Sequence, residues 1–594
     1  MDAALADWGP DGGRRLVDGQ VGLGCRLLHI TTEDRYERQP LVDGDCVLIA
    51  HVRLDNRADL CRDFGLADRS DLPDSALVMA AYRRHGLDCV QHLLGDWVLA
   101  LWDRARRRLM IARCATGNVG LFWFRQGRQL LFATGIKALL AHPDCKPAIN
   151  PERIAALALS VRDPEEDATV YRGIRLLEPG HLLIASADGL ERRRWWRPET
   201  LEPLRLPSAA QYYEAFQALY GTVVGQHLRV GRGGVAATLS GGLDSGSVIA
   251  LAAPQLPRPL KAFVHAPIYE SAAATHRIGD EVPQARCVAE HVGNVEIVPL
   301  HSPNSSIVGG VEHEIRTNAE PTHGVGNGYW IADILENARA AGARVLLMGQ
   351  GGNATVSYSG TGSLLPMLRS GRLSPVVMEL RADQSGFWRA IKWRLIRPLA
   401  KPGYDRLRDR GPTPCSFLKP DVAKALKPSR LGTHLFDLST AFRLGLEGAG
   451  RGRAAWMAAG ARYGVDIRDP TRDRRIVEFC WRVPDEIHWA NGRQRGLVRV
   501  GMADFLPAAI RDQTRKGLQS SDIIARLRLQ SAEIETSLDR IAASGTARDY
   551  LDIEAMRRMF VRIAGGGNSM AEFTEAHRFV RGLGIGLYLA SSRR

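Results

Sequence analysis

The chain has 594 residues, too many for one hydrophobic core, so two or three domains are expected. Its composition is that of an ordinary globular protein with a net charge of +14, and it shows no apolar run of about 18 residues, no zinc-finger pattern and no RRM signature, which speaks against a membrane span and a nucleic-acid module. Nine cysteines are scattered without a Cys-x-x-Cys pair, and the acidic start (Asp2, Asp7, Asp11) has no secretion-signal core, so a cytoplasmic protein without zinc or disulfide framework is expected.

Residues 1–200 alternate short apolar runs with turn signals. The runs at 46–50, 97–102, 109–112 and 130–133 read as strands, and 74–82 and 136–140 as helices. A proline-bracketed linker at 201–207 divides the chain into domains 1–205 and 206–594. Beyond it, helices at 211–228, 281–291 and 329–340 alternate with apolar strands at 235–239, 260–265, 295–300 and 345–348. That alternation predicts a doubly wound parallel sheet in an α/β domain. From about 360 onward the pattern is mostly helical.

Between the strand at 235–239 and a following helix lies Ser240-Gly241-Gly242-Leu243-Asp244-Ser245. The glycines let backbone N–H groups close around an anion at a helix N-terminus, and the serines add hydroxyl donors. Asp244 suits such a site only if a cation accompanies the anion, so Mg²⁺ with a polyphosphate is the natural ligand. The Walker spacing is absent, which disfavours γ-phosphate transfer. The hexapeptide resembles the pyrophosphate-binding loop of ATP pyrophosphatases.

With both halves in view, the chain resembles the asparagine synthetase B family over nearly its whole length. Arg53-Leu54-Asp55-Asn56-Arg57, 94–103, 109–113 and 132–140 are similar to segments of a class II glutamine amidotransferase domain, which implies an Ntn-type αββα fold. The family's cysteine after the initiator methionine is replaced by Asp2, and its Ala-Arg-Asp-x-x-Gly by Ala112-Arg113-Cys114-Ala115-Thr116-Gly117. Cys25 cannot use a terminal amine as its base. A domain that has lost glutaminase activity is therefore expected.

The second half is similar to an ATP pyrophosphatase-type synthetase domain. Met348-Gly349-Gln350-Gly351-Gly352-Asn353 resembles the family's Gly-Glu-Gly-x-Asp-Glu loop, with Asn353 in place of a metal-binding aspartate. The resemblance implies that Ser240 to Ser245, Gly349 and Gly351 hold ATP, and that Asp244 and Asn353 hold Mg²⁺. It gives Glu320, in Glu320-Pro321-Thr322, and the pair Arg515-Lys516 catalytic parts; on its residues alone Glu320 is equally a solvated loop glutamate. Asp466 to Asp473 resembles a segment near the active site, although Asp473 reads best as a brace for a helix start.

A chain that adenylates a carboxylate but makes no ammonia needs another amine. If both groups belong to one molecule, the product is a ring. Residues 349–357 look most like the lasso peptide macrolactam synthetases, which implies a leaderless precursor peptide as substrate and a leader peptidase as partner. β-Lactam or other small-molecule amide synthetases and ammonia-dependent asparagine synthetases are the alternatives. Residues 366–410 carry eleven Lys/Arg against four Asp/Glu, with aromatics interleaved, and read either as a peptide- or partner-binding surface or as a solvated basic one.

Overall fold

The computed structural model describes residues 1–160, 165–272, 276–322, 324–360, 364–369, 371, 373–383, 386–396, 417–425, 450–490 and 492–592. Much of the basic 366–410 stretch therefore lies outside the described residues.

The N-terminal half contains strands β1 (Gly12–Asp18), β2 (Val21–Leu27), β3 (Leu41–Asp43), β4 (Cys46–Leu54), β5 (Gly95–Asp103), β6 (Arg108–Arg113), β7 (Phe122–Gln126), β8 (Gln129–Ala133), β9 (Ile174–Leu176), β10 (His181–Ser186) and β11 (Gly189–Arg194). Six of them form an antiparallel sheet in the order β11-β10-β6-β5-β4-β3, and three form a second in the order β8-β7-β9. β5 explains the layering. Its Trp97, Leu99 and Leu101 face the helices Arg57–Phe64 and Asp74–His85, while Val98 and Ala100 face Leu121, Leu177 and Phe132 under the second sheet. Both faces are buried, so the strand reads as a continuous apolar run. The helix Ile136–Leu140 packs on β7 and β8, which completes the αββα order.

The second half is built on β12 (Gly234–Thr238), β13 (Leu260–His265), β14 (Arg277–Ile278), β15 (Val295–Leu300), β16 (Ala343–Leu347) and β17 (Asp466–Arg468). Five of these make a parallel sheet in the order β15-β13-β12-β16-β17. One face (Ala236, Phe263, Leu346) buries against the helix Gly328–Ala340, and the other (Ala237, Val264, Val345, Leu347) against Ala209–His227 and Leu243–Ala252. The helix Ala209–His227 starts at a capping box, in which Ser208 accepts from the Gln211 amide and the Gln211 side chain returns the bond. The order reverses at β12, with β13 on one side and β16 on the other, so the loops after β12 and β16 open into one crevice. C-terminal helices up to Met570–Ser591 enclose the first face, and no helix among the described residues is long and apolar enough to cross a membrane.

The expected strands and helices of both sheets are present, within a few residues. Elements beyond those expected include the β1–β2 and β10–β11 hairpins, the helices Arg57–Phe64, Pro151–Leu159 and Ile307–Asn318, and β17. β17 is three residues long and two of them are charged. It carries no periodic signal and becomes a strand because β16 offers an open edge, pairing Val345 with Asp466 and Leu347 with Arg468.

A buried charge network joins the halves. Arg53, at the end of β4, pairs with Asp55 and Asp96, each at 2.9 Å, and its Nη2 donates to Nε2 of His227 at 3.3 Å. His227 spends its Nδ1–H on the Val223 carbonyl, and burial together with Arg53 keeps the ring neutral. Arg229 reaches Asp74, and Arg468 donates to the carbonyls of His227 and Arg229. Burial alone would raise the Asp55 carboxyl; the Arg53 guanidinium, with Arg475, pulls it down to about 2 instead.

Removing one partner of a buried pair costs about 3–5 kcal/mol. Arg53→Ala is expected to destabilise the protein by that order in urea unfolding. Because the folded Asp55 lies below the ordinary aspartate value of 3.8, its stabilisation is present above that pH and lost toward pH 2, and the variant should show a flatter acid limb across that window.

Candidate active site

The crevice is formed by two glycine-bearing loops. After β12 the chain passes through Ser240 to Gly242 and enters the helix Leu243–Ala252, whose first turn carries Asp244 and Ser245. Gly241 adopts φ +65°, and a Cβ there would stand 2.4 Å from Gln284 Cβ, so the turn is pressed against the first turn of the helix Val282–Val292. The Ser245 hydroxyl holds the loop shut: it accepts from the Ser240 amide at 3.1 Å and lies 3.0 Å from the Ser240 hydroxyl.

The second loop, 348–353, clasps the first. A Cβ on Gly349 would meet the backbone of Asp244 and Ser245 at 2.7 Å, and one on Gly352 would meet the Asp244 carboxylate at 2.2 Å. Gly351 donates its N–H to Asp469 Oδ2 at 2.7 Å, and a Cβ there would overlap Arg472. Asp469 also accepts from Thr471 and Arg472, so the segment after β17 fixes the clasp from behind. Asp473 is the brace the sequence suggests: it caps the helix Arg474–Arg482 through the Arg475 amide and pairs with the Arg475 guanidinium.

Asp244 Oδ1 is shut off from solvent and has no hydrogen-bond partner among the described residues. Burial raises its pKa to about 6, against the opposing pull of Ser357, Arg495 and Lys516. An orphaned acidic oxygen beside an anion loop fits a divalent cation, and Asp244 is the residue that would hold Mg²⁺. Asn353 Oδ1 accepts from the Arg495 Nη2 at 3.1 Å.

Lys516 faces the same crevice. Its short strand Lys516–Gly517 pairs in parallel with β14, opposite Arg277. Desolvation and the cations Arg495 and Arg277 lower its pKa, while Asp244 opposes them. Arg515 is exposed, and its amide bonds the Gln513 side chain. Glu320 sits elsewhere, buried with its Oε2 3.4 Å from the Val170 amide of the N-terminal half. The structure thus brings Ser240 to Ser245, the second loop, Asn353 and Lys516 together, with Arg515 beside Lys516 in the chain, and leaves Glu320 at the domain seam. Arg495, Arg277 and Ser357 are the neighbours that sequence reasoning missed; lone arginines in an arginine-rich chain give no signal.

In the N-terminal half, a cavity of about 610 Å³ is lined by Asp2, Cys25, Gln39, His51, Arg53 and Arg468, among others. The Asp2 carboxylate is tied to Arg26 and Arg15 at 2.7–2.9 Å. Burial pushes the Cys25 thiol up to about 12, with Glu37 and Asp2 adding to it.

Two family models cover the chain: a glutamine amidotransferase domain over residues 1–196 and asparagine synthase over residues 216–576. The chain belongs to the asparagine synthase family. That family consists of ATP-dependent enzymes that form amide bonds, usually with Mg²⁺, and this chain is an ATP-dependent amide-bond ligase of that kind. It is 24% identical over 536 residues to asparagine synthetase [glutamine-hydrolyzing] 3 of Bacillus subtilis (strain 168), covering 85% of this chain and 81% of that protein. Amidase chry2 of Gibberella zeae is 27% identical over 58% of this chain and 53% of its own length, and amidase chyE of Penicillium rubens 29% over 41% and 36%.

Overpacking by one methyl group costs about 1–3 kcal/mol. Gly352→Ala should therefore weaken Mg·ATP binding about tenfold or more in calorimetry, because the new methyl displaces the Asp244 carboxylate; unchanged affinity would remove the clasp from the site. Asp244 is charged above a pKa of about 6 and neutral below it. Mg²⁺ affinity in the presence of ATP should fall about tenfold per pH unit once the pH drops below that value, and Asp244→Asn should abolish this dependence.

Proposed function

We propose that this enzyme closes the macrolactam ring of a lasso peptide, adenylating an Asp or Glu side chain of a leaderless precursor peptide and joining it to the peptide's own N-terminal amine. What supports the reading is the pairing of an ATP crevice with an amidotransferase-like half in which Asp2 stands where the resemblance leads one to expect the nucleophilic cysteine. The Cys25 thiol is held protonated by its surroundings, Asp2 is neutralised by two arginines, and Arg53 is ion-paired to Asp55 and Asp96. On this reading such a half supplies no ammonia of its own, and the amine arrives with the substrate.

In the first step a carboxylate oxygen bonds to the α-phosphorus of ATP and pyrophosphate leaves with the broken P–O bond. In the second the amine bonds to the acyl carbon, AMP leaves with the electrons of the acyl–oxygen bond, and the nitrogen gives up a proton. When bound, Mg²⁺ on Asp244 neutralises polyphosphate charge. The Ser240 to Ser245 loop orients the phosphates through N–H and hydroxyl donors. Lys516 presents a compact cation, whose ammonium has no hydrogen-bond partner among the described residues, to the charge that develops as each leaving group departs. Holding amine and acyl group in one molecule makes ring closure unimolecular. In this proposal the core peptide is delivered by a leader peptidase in the cytoplasm.

An ammonia-dependent asparagine synthetase is the second reading, favoured by the 85% coverage in the match to the Bacillus subtilis enzyme. Purified enzyme with Mg·ATP, the leaderless peptide and its peptidase partner should release AMP and convert the peptide to a product lighter by one water, and Asp244→Ala should abolish both. AMP formed only with free aspartate and ammonium would replace the peptide reading by the second. Lys516→Ala should lower kcat by about 10²–10³ with ATP affinity changed far less; an equal loss in both would make Lys516 a ground-state binder.

A further inference from the structure

The two halves also meet around a basic pocket, at the end of the parallel sheet remote from the ATP crevice. A cavity of about 300 Å³ is lined by Asp11, His29, Thr31 and Arg35 of the N-terminal half and by Arg232 and Arg344 of the synthetase half. Arg232 stands just before β12, and Arg344 is the second residue of β16. The anion loop and its clasp follow the other ends of these same strands. β12 has five residues, so the pocket and the crevice are separated by about 16 Å of strand.

Two glycines hold the walls of this pocket together. Gly231 donates its N–H to the Ile30 carbonyl at 2.8 Å, and a Cβ on it would stand 2.8 Å from the Thr31 carbonyl oxygen. Gly233 adopts φ +98°, and a Cβ there would stand 2.5 Å from Arg344 Cγ. Arg344 donates from Nη2 to the His29 carbonyl at 3.0 Å and lies 3.7 Å from the Asp11 carboxylate, which also accepts from the His29 amide at 2.8 Å. The other polar groups of the lining are unspent. Arg35 and Arg232 are exposed, and neither guanidinium has a hydrogen bond or ion pair among the described residues. Arg344 Nε, Thr31 Oγ1 and His29 Nε2 are buried without a hydrogen-bond partner among the described residues, Thr31 being only 4% exposed.

Three arginines against one carboxylate leave a surplus of two positive charges, which matches a dianion. Guanidinium forks suit the oxygens of a tetrahedral oxyanion. The Thr31 hydroxyl and the His29 ring, which donates from Nε2 in one tautomer, offer neutral donors to the remaining oxygens. A cavity of this volume stands at the small end of ligand sites. We propose that this pocket binds a phosphate dianion, either free or as the terminal group of a small phosphorylated metabolite, and that the bound anion ties the two halves together. The site stands apart from the ATP crevice and does not depend on the peptide reading.

The test titrates inorganic phosphate and glycerol 3-phosphate calorimetrically into the full chain, with thermal melts at matched ionic strength alongside. Phosphate is expected to bind wild type and to raise its melting temperature, whereas sodium chloride should not. Arg232→Ala and Arg35→Ala remove exposed arginines from opposite halves. Each should weaken phosphate binding about tenfold or more and lose the thermal shift, with ATP affinity unchanged. Arg232→Lys should recover part of the loss. Glycerol 3-phosphate binding about tenfold tighter than phosphate would identify a phosphorylated metabolite as the occupant, and equal affinities would identify free phosphate. Phosphate binding that survives at wild-type strength in both alanine variants belongs elsewhere on the protein and overturns the proposal. So does a wild-type protein that binds neither probe.

Discussion

Asp244 is held between two loops that leave no room for a Cβ at Gly349 or Gly352. Backbone from β12 and backbone from β16 have to approach within van der Waals distance for the acid to be fixed, and only glycine permits it. Much of the site depends on this contact. Asp469 and Arg472 after β17 hold the second loop in place, and β17 itself exists because β16 has a free edge. The result is an acid withdrawn from solvent with one oxygen unspent, at the point where the strand order reverses and the loops diverge.

The charge around the acid is arranged by distant parts of the chain. Lys516 arrives on a two-residue ladder with β14, and Arg495 on a helix start clamped by Gly496. Neither is close in sequence to the Ser240 loop. Burial and the neighbouring Arg495 and Arg277 make Lys516 harder to protonate, a cost that a bound polyanion reduces. The site is thus built for an occupant that brings negative charge.

The N-terminal half contributes structure of another kind. Its αββα layers are intact and its core strands are buried on both faces. Asp2, which stands in place of the family's cysteine, is bound to Arg15 and Arg26, and Arg53 is bound to Asp55 and Asp96. Arg53 also reaches His227 of the synthetase half, so a side chain of the amidotransferase-like strand end joins two domains.

Much of this was legible in the sequence. Continuous apolar runs marked β5, β12, β13 and β16, because a strand buried on both faces must be apolar throughout. Glycine and serine spacing marked the anion loop, because close backbone approach admits no other residue type. The seam at Arg53, the turn of Glu320 toward Val170, the strand at Asp466 and the meeting of Arg495 with Asn353 were decided by tertiary structure alone. Each depends on a partner more than a hundred residues away in sequence, and charged side chains carry no local mark of the partner they will meet. Sequence determined which backbone could come close; the packing of two domains determined which charges did.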